Sequence, residues 1–393
     1  MVPTASAEEL VVGPLSIDSV VSGNRLPSHF TELKKALWKD ELLQSWKEVL
    51  AELDAAVEKI STEGGAAIPR VSFAEMKAGL SEDQVKAIKA VGILVVTGGI
   101  PQEKYSFDVR LFCDLHRKLW DGSSRFKNMS PLIPPKSQVK FHKFLHLKSG
   151  AKITMAGFPA DNIQIFEMYN SKGQVAARVH PAVIETQRFL LSLWHASDPN
   201  TQISLDNPIC YFDRARIRHA GDTTFVLDPH IDNGSVERWE DPTYRQCYQE
   251  ILDGGSAWRN HDFFDASPRL DAVQDMHDNS NQGSIFRAWQ GWTSMSRTGP
   301  GEGTLRVLPM LAVAMPYIML RPFFRLNAEN NEWEVDLDNP DFPGSLLGGK
   351  QFLTPETHPH LRLDKTMVEI PTVDPGDQVY CASAFAYTSP WKG

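Results

Sequence analysis

Cysteine is scarce in this chain. Its 393 residues include four, Cys113, Cys210, Cys247 and Cys381, with no C-x-x-C pair. That argues against a disulfide framework and suits a reduced, cytoplasmic protein. No apolar run reaches the roughly 18 residues of a membrane span. Residues 1–15 have neither a basic n-region nor an apolar h-region, so no secretory leader is expected. Basic charge is also short: 40 Lys and Arg stand against 49 Asp and Glu, for a formal charge of −9 and a pI near 5.8. This balance argues against nucleic-acid partners and against an anionic membrane surface. Aromatic residues, in contrast, are plentiful. Ten Trp and twenty Phe can fill a sizeable core, and the length fits one large domain or two ordinary ones.

Residues 1–26 are polar and rich in small side chains, which predicts a flexible lead-in. From Ser28 to Ile60, apolar residues including Leu33, Leu37, Trp46, Val49, Leu53 and Val57 recur at three- and four-residue steps. This predicts a helix with Ser28 as its N-cap. Ser81-Glu82-Asp83 starts a second helix, Gly92 ends it, and Ile93–Thr97 reads as a buried strand. Residues 103–155 are basic and aperiodic, and the plain reading is a surface insertion. A further amphipathic helix spans Pro181–Ser197. Beyond residue 200, short strand-like runs alternate with Gly, Pro and Asp turns, at 209–212, 215–218, 223–227, 285–295, 304–308, 314–320, 333–335, 367–370 and 378–380. A helical interruption covers Pro242–Leu252. Many short strands with turn signals predict a sandwich or barrel.

One of these runs, Thr224-Phe225-Val226-Leu227-Asp228-Pro229, ends in His230-Ile231-Asp232. Period-2 geometry places His230 and Asp232 on one face of an extended strand, about 7 Å apart along it. An imidazole and a carboxylate so placed can close on one cation. Two His and one carboxylate with open positions opposite is the ligand set of non-haem Fe(II) oxygenases. A lone His is more often structural, so context has to decide. Downstream, a Gly-rich turn at Gly299–Gly303 leads into Thr304–Pro309. The strand before it carries Arg287, Gln290 and Trp292, and reads equally as a half-buried hairpin or as the wall of an apolar pocket with a few polar groups. Arg214, Arg216 and Arg218 alternate onto one face of a strand near His-x-Asp. They, with Arg287 and Arg306, are either carboxylate anchors for co-substrate or substrate or an ordinary solvated face. A third pattern, Pro375-Gly376-Asp377-Gln378-Val379-Tyr380, is a Gly-Asp turn into an apolar strand.

Taken in order, His-x-Asp, the Gly-x-Leu-x-Val-x-Pro element and the Gly-Asp turn resemble the Fe(II)/2-oxoglutarate-dependent oxygenases. Gly157–Asn162, Phe212–Arg218, His230–Asp241, Gln290-Gly291-Trp292 and Arg321–Phe324 resemble one fungal and bacterial family of unknown function more closely. That family includes the aziridine-forming amino-acid oxygenases of fungal alkaloid clusters. The resemblance implies Fe(II) on His230 and Asp232, 2-oxoglutarate chelating that iron, and C–H oxidation of a small molecule, an amino acid or another small acid. The expected fold is α+β with a mainly β core, a double-stranded β-helix (jelly-roll or cupin-like) with N-terminal helices packed outside. One oxygenase-like domain would cover 27–393: a helical part at 27–200, a jelly-roll core at 201–380 and an aberrant tail at 381–393.

The chain departs from that family in two places. After Tyr380 there is no histidine, where the resemblance expects a distal iron ligand and then a basic residue for the far carboxylate of 2-oxoglutarate. Only His358 and His360, in a Pro-rich loop before the Gly-Asp turn, are near in sequence. Residues 103–155 also have no family counterpart. An imperfect gene model, with a retained intron at 103–155 and a misread splice after Tyr380, accounts for both; a cDNA encoding both segments as written would contradict it. The expected protein is an oxygenase impaired by loss of its distal histidine. The alternative is a catalytically inactive jelly-roll protein that binds a small molecule.

Overall fold

The computed structural model describes residues 26–101, 165–166, 170, 172–210, 214–216, 228–277, 283–382 and 386–388. The expectations placed on 1–25, on 103–155, on Gly157–Asn162, on Arg218 and on 223–227 lie outside the described residues.

The predicted first helix divides in two, His29–Leu37 and Leu42–Glu63. Trp38 turns extended (ψ 137°) and ends the first. Ser28 sits at its N-cap position but makes no side-chain cap bond. The second helix buries Leu42, Ser45, Trp46, Val49, Leu53, Val57 and Ile60, the helical spacing read from the sequence. Glu82–Val91 forms as expected. Ser81 and Gln84 close a capping box, and Gly92 supplies the left-handed C-cap at φ 76°. The third predicted helix forms over Pro181–Ser192, with Pro181 at its start.

Thirteen strands are described in chain order: β1 Arg70–Ser72, β2 Ile93–Thr97, β3 Ile165–Phe166, β4 Ala215–Arg216, β5 His230–Ile231, β6 Trp289–Thr293, β7 Arg306–Val307, β8 Phe324–Leu326, β9 Trp333–Val335, β10 Gln351–Phe352, β11 Val368–Glu369, β12 Gln378–Ala382 and β13 Ala386–Thr388. One sheet has the order β1-β2-β12-β6, the other β10-β5-β13-β7-β11; β3 pairs with β4, and β8 with β9. The chain crosses repeatedly between the larger two, since β5 and β7 lie in one and β6 in the other, and β11 and β13 in one and β12 in the other. Both sheets are open among the described residues.

The run 314–320, expected as a strand, is part of a helix at Leu311–Leu320. Eight of its ten residues are buried, so it is apolar all round and shows no period. A short apolar run of this kind cannot be assigned from pattern alone, because a buried helix and a buried strand look the same. This helix packs against Leu42–Glu63. The Trp46 ring stacks on Phe324 (centroids 4.3 Å apart, 11° between planes) and on Tyr317 (5.6 Å, 21°). One continuous apolar core runs from Leu26 to Ala382, so the N-terminal helices and the strand-rich part share it.

Candidate metal centre at His230 and Asp232

The His-x-Asp expectation meets a specific geometry. His230 lies on β5 and is 1% exposed; the Asp232 side chain, just past the strand, is 12% exposed. Nε2 of His230 and Oδ1 of Asp232 converge to 3.5 Å. His230 Nδ1 lies 2.6 Å from the carbonyl oxygen of Asp228. A carbonyl can only accept, so Nδ1 carries the proton and Nε2 presents its lone pair. Burial, reinforced by the ammonium of Lys350, pushes the His230 pKa from 6.5 down to about 4, against the pull of Asp232 and the Asp228 carbonyl. His230 is therefore neutral near pH 7, the form that ligates metal.

A cation already stands between these two donors. Lys350 Nζ is 2.9 Å from Asp232 Oδ1 and 3.1 Å from His230 Nε2. The position follows from strand pairing. On antiparallel β10, Gln351 pairs with Ile231 and Phe352 with His230, so one step further in the same register brings Lys350 opposite Asp232.

The loop after Asp232 is fixed by a buried arginine. Asn233 and Gly234 both take positive φ, 67° and 79°, which turns the chain away from the strand. Arg238, fully buried, donates from Nη1 to the Ser235 carbonyl at 3.1 Å and to Gln351 Oε1 at 2.9 Å. From Nη2 it donates to the carbonyls of Asp232 and Asn233, each at 3.1 Å. The Tyr244 hydroxyl donates to the Asn233 carbonyl at 2.7 Å. Glu237 Oε2 accepts from the Ser235 amide at 2.7 Å, and burial raises its carboxyl pKa. Asp241 caps the helix Pro242–Gln246 through the Tyr244 amide. The run from His230 to Asp241, singled out in the sequence, is thus a single hydrogen-bonded brace that aims Asp232.

The other predicted residues are spread more widely. Arg287 reaches the site, donating from Nη2 to Asn233 Oδ1. Gln290 and Trp292 are half-buried on β6, an edge strand of the other sheet, paired with Cys381 and Val379. Arg306 turns its guanidinium to the Met367 carbonyl through Nε and Nη2 (3.1 and 2.7 Å). Arg214 and Arg216 are exposed, and Arg216 sits on β4, which pairs with β3 rather than with β5. Among the described residues, no group of three or more His, Cys, Asp or Glu is gathered as a metal would require.

His358 and His360 serve packing. His358 Nδ1 shares a hydrogen bond with Thr357 Oγ1 at 2.8 Å, and its ring meets Tyr317 edge-on. His360 lies against Trp46, Tyr317 and Trp333. Burial, with the nearby charge of Arg321, lowers both pKa values, that of His360 from 6.5 to about 4. Between those two pH values the unfolded chain binds more protons than the native protein, so stability falls as pH drops through that window. His360→Phe keeps the ring contacts and removes the titration. Its urea midpoint is expected to fall less than that of the wild type on acidification from about pH 7 to about pH 5. Equal falls would show that His360 is not held neutral.

Sequence reading missed Lys350, Arg238 and Gln351. Arg238 lay inside a recognised run, but nothing local marks it as buried. Lys350 and Gln351 are 120 and 113 residues from their partners His230 and Arg238. Their one local signal is the Gly348-Gly349 turn, with Gly348 at φ 63°, leading into an apolar strand.

Comparison with known proteins supports kinship over most of the chain. The uncharacterized protein YbiU of Escherichia coli K12 is 28% identical over 335 residues, 83% of this chain and 69% of YbiU. The crystal structure of GlcNAc Inducible Gene 2, GIG2 (DUF1479), from Candida albicans superposes with a TM-score of 0.75 at 28% identity, over 93% of this chain and 73% of that one. A Salmonella typhimurium LT2 structure described as a "Putative Oxidoreductase" gives 0.70 at 25% identity, over 93% and 82%. The expected resemblance to a fungal and bacterial family is thus met at family level. The model of one family matches residues 24–388, and this chain belongs to it: the Gig2-like family.

Proposed function

We propose that the chain carries an oxygenase-type centre in which His230 and Asp232 hold Fe(II) and 2-oxoglutarate is the co-substrate. The reading also takes the two sheets as the faces of a double-stranded β-helix, supported by the way the chain crosses between them. The observation that carries it is the cation at the pair. A buried neutral imidazole and a carboxylate converge on an ammonium 3.1 and 2.9 Å away, so the site is built around a positive charge. The oxidoreductase description of the Salmonella neighbour points the same way. Bound iron with 2-oxoglutarate and O₂ would supply an oxidant for a substrate C–H bond.

The residues of this chain have distinct parts in that chemistry. The Asp228 carbonyl fixes the His230 tautomer, as the hydrogen-bond partners of metal-bound imidazoles do. Arg238 and Tyr244 hold the loop so that Asp232 faces His230. Arg287, which donates to Asn233 Oδ1 beside the pair, is the residue this reading assigns to a carboxylate of co-substrate or substrate, a small acid or amino acid. With no third ligand of the expected type gathered among the described residues, turnover is expected to be slight.

The test is equilibrium binding of 2-oxoglutarate under anaerobic conditions, with and without Fe(II). Binding is expected to require Fe(II) and to be lost in Asp232→Ala. Metal-independent binding of a small molecule, unchanged in Asp232→Ala, would favour the inactive binding protein. Lys350 gives that second reading its own support, since a lysine can replace a metal permanently.

A further inference from the structure

We propose that Lys350 is a tethered cation that keeps the His230–Asp232 pair occupied until a divalent metal displaces it. This rests on the reading of the pair as metal donors.

A carboxylate as enclosed as Asp232 is costly without a counter-charge, and the Nε2 lone pair of a neutral imidazole at 1% exposure calls for a donor. An ammonium satisfies both, because each of its three N–H groups can donate. Two donate here, to Asp232 Oδ1 and to His230 Nε2. The Lys350 side chain stays 30% exposed, so the arm is not sealed inside the protein.

The backbone fits an arm that swings. Gln351, next in the chain, is 1% exposed and held on both sides. Its Oε1 accepts from Arg238 and its Nε2 donates to the Pro343 carbonyl at 3.2 Å. Before Lys350, Gly348 turns at φ 63°, and a Cβ there would lie 2.7 Å from the His277 carbonyl oxygen. One side of Lys350 is therefore pinned in the sheet and the other is a glycine turn. The four-carbon stem can leave the donors without moving the strand. A metal ion and the ammonium cannot share the same two donors, so metal entry is an exchange of one cation for another. If the ammonium holds the pair for about nine-tenths of the time, the apparent metal affinity falls about tenfold.

The experiment measures Co(II) dissociation constants for the full chain and for Lys350→Met. It is done in about 0.5 M NaCl, where the field of an exposed charge is largely screened. Unfolding midpoints of both metal-free proteins are measured alongside. Lys350→Met is expected to bind Co(II) about tenfold more tightly or better. Metal-free, it should unfold earlier than the wild type, and saturating Co(II) should remove the difference. In an Asp232→Asn background the gain in affinity should vanish. Lys350→Gln, which also lacks the charge, should reproduce the effect if Lys350→Met folds poorly. Equal Co(II) affinity in wild type and both variants would overturn the exchange and leave the metal reading standing. No Co(II) binding by any of them would overturn both.

Discussion

Arg238→Met is expected to destabilise the protein by about 3–5 kcal/mol, the range for removing one partner from a buried, charged network. The arginine is fully buried and serves four acceptors, three backbone carbonyls in the loop 232–235 and the side-chain oxygen of Gln351. Methionine fills much of the volume and satisfies none of them. Arg238→Lys should recover little, because an ammonium is a compact donor and cannot span four acceptors as a planar fork does. The same loop aims Asp232, so metal affinity in Arg238→Lys should fall about 10–100-fold, the usual effect of losing a group that orients a ligand. Urea unfolding of the two variants and Co(II) titration of Arg238→Lys check this. A loss under about 1 kcal/mol for Arg238→Met would mean that water replaces the guanidinium and that the brace is not structural.

The second large effect concerns the third ligand that the proposed iron centre calls for. β13 pairs antiparallel with β5, Ala386 opposite Ile231 and Tyr387 opposite His230. Directly paired positions share a face of the sheet, with Cβ atoms about 4.5–5.5 Å apart. Position 387 is therefore the position on β13 from which a histidine would complete a two-His, one-carboxylate set. Tyr387→His is expected to tighten Fe(II) binding about tenfold or more, that is by at least about 1.4 kcal/mol. It should also raise Fe(II)-dependent formation of succinate from 2-oxoglutarate above the slight level of the wild type. Ala386→His, one step away and so on the opposite face, should do neither. Equal behaviour of the two variants would show that the register does not place a third ligand, and the oxygenase reading of the sheet would fail with it.

Much of this was legible in the sequence where the signals are local. Ser81, Gln84 and Gly92 bound their helix because capping is a matter of three or four residues. The buried run Ile93–Thr97 became a strand because β-branched residues sit between a helix stop and a turn. The strand after the Gly-Asp turn formed over Gln378–Ala382, where the turn at Gly376 (φ 93°) leads into a largely apolar run. The His-x-Asp pair was visible because both side chains come from one three-residue stretch, at and just past β5. The lack of a histidine after Tyr380 was visible too, and β13 now shows which of its positions pairs with His230.

What escaped was non-local or lacked periodicity. The helix Leu311–Leu320 is buried on all sides, so nothing in its pattern separates it from a strand. Lys350 and Gln351 reach the site through pairing of β10 with β5, which no short-range signal encodes. The arginine alternation at 214–218 was real in sequence, but Arg216 belongs to a strand that pairs with β3. Alternation fixes the face a residue takes on its own strand; it does not say which strand lies alongside.

The most direct test of the account is where iron goes. Crystals of the protein grown anaerobically with Fe(II) should give an anomalous difference peak at the iron edge between His230 Nε2 and Asp232 Oδ1, with the Lys350 ammonium moved out toward solvent. A peak elsewhere, or none with Lys350 still bridging the two side chains at high Fe(II), would contradict it.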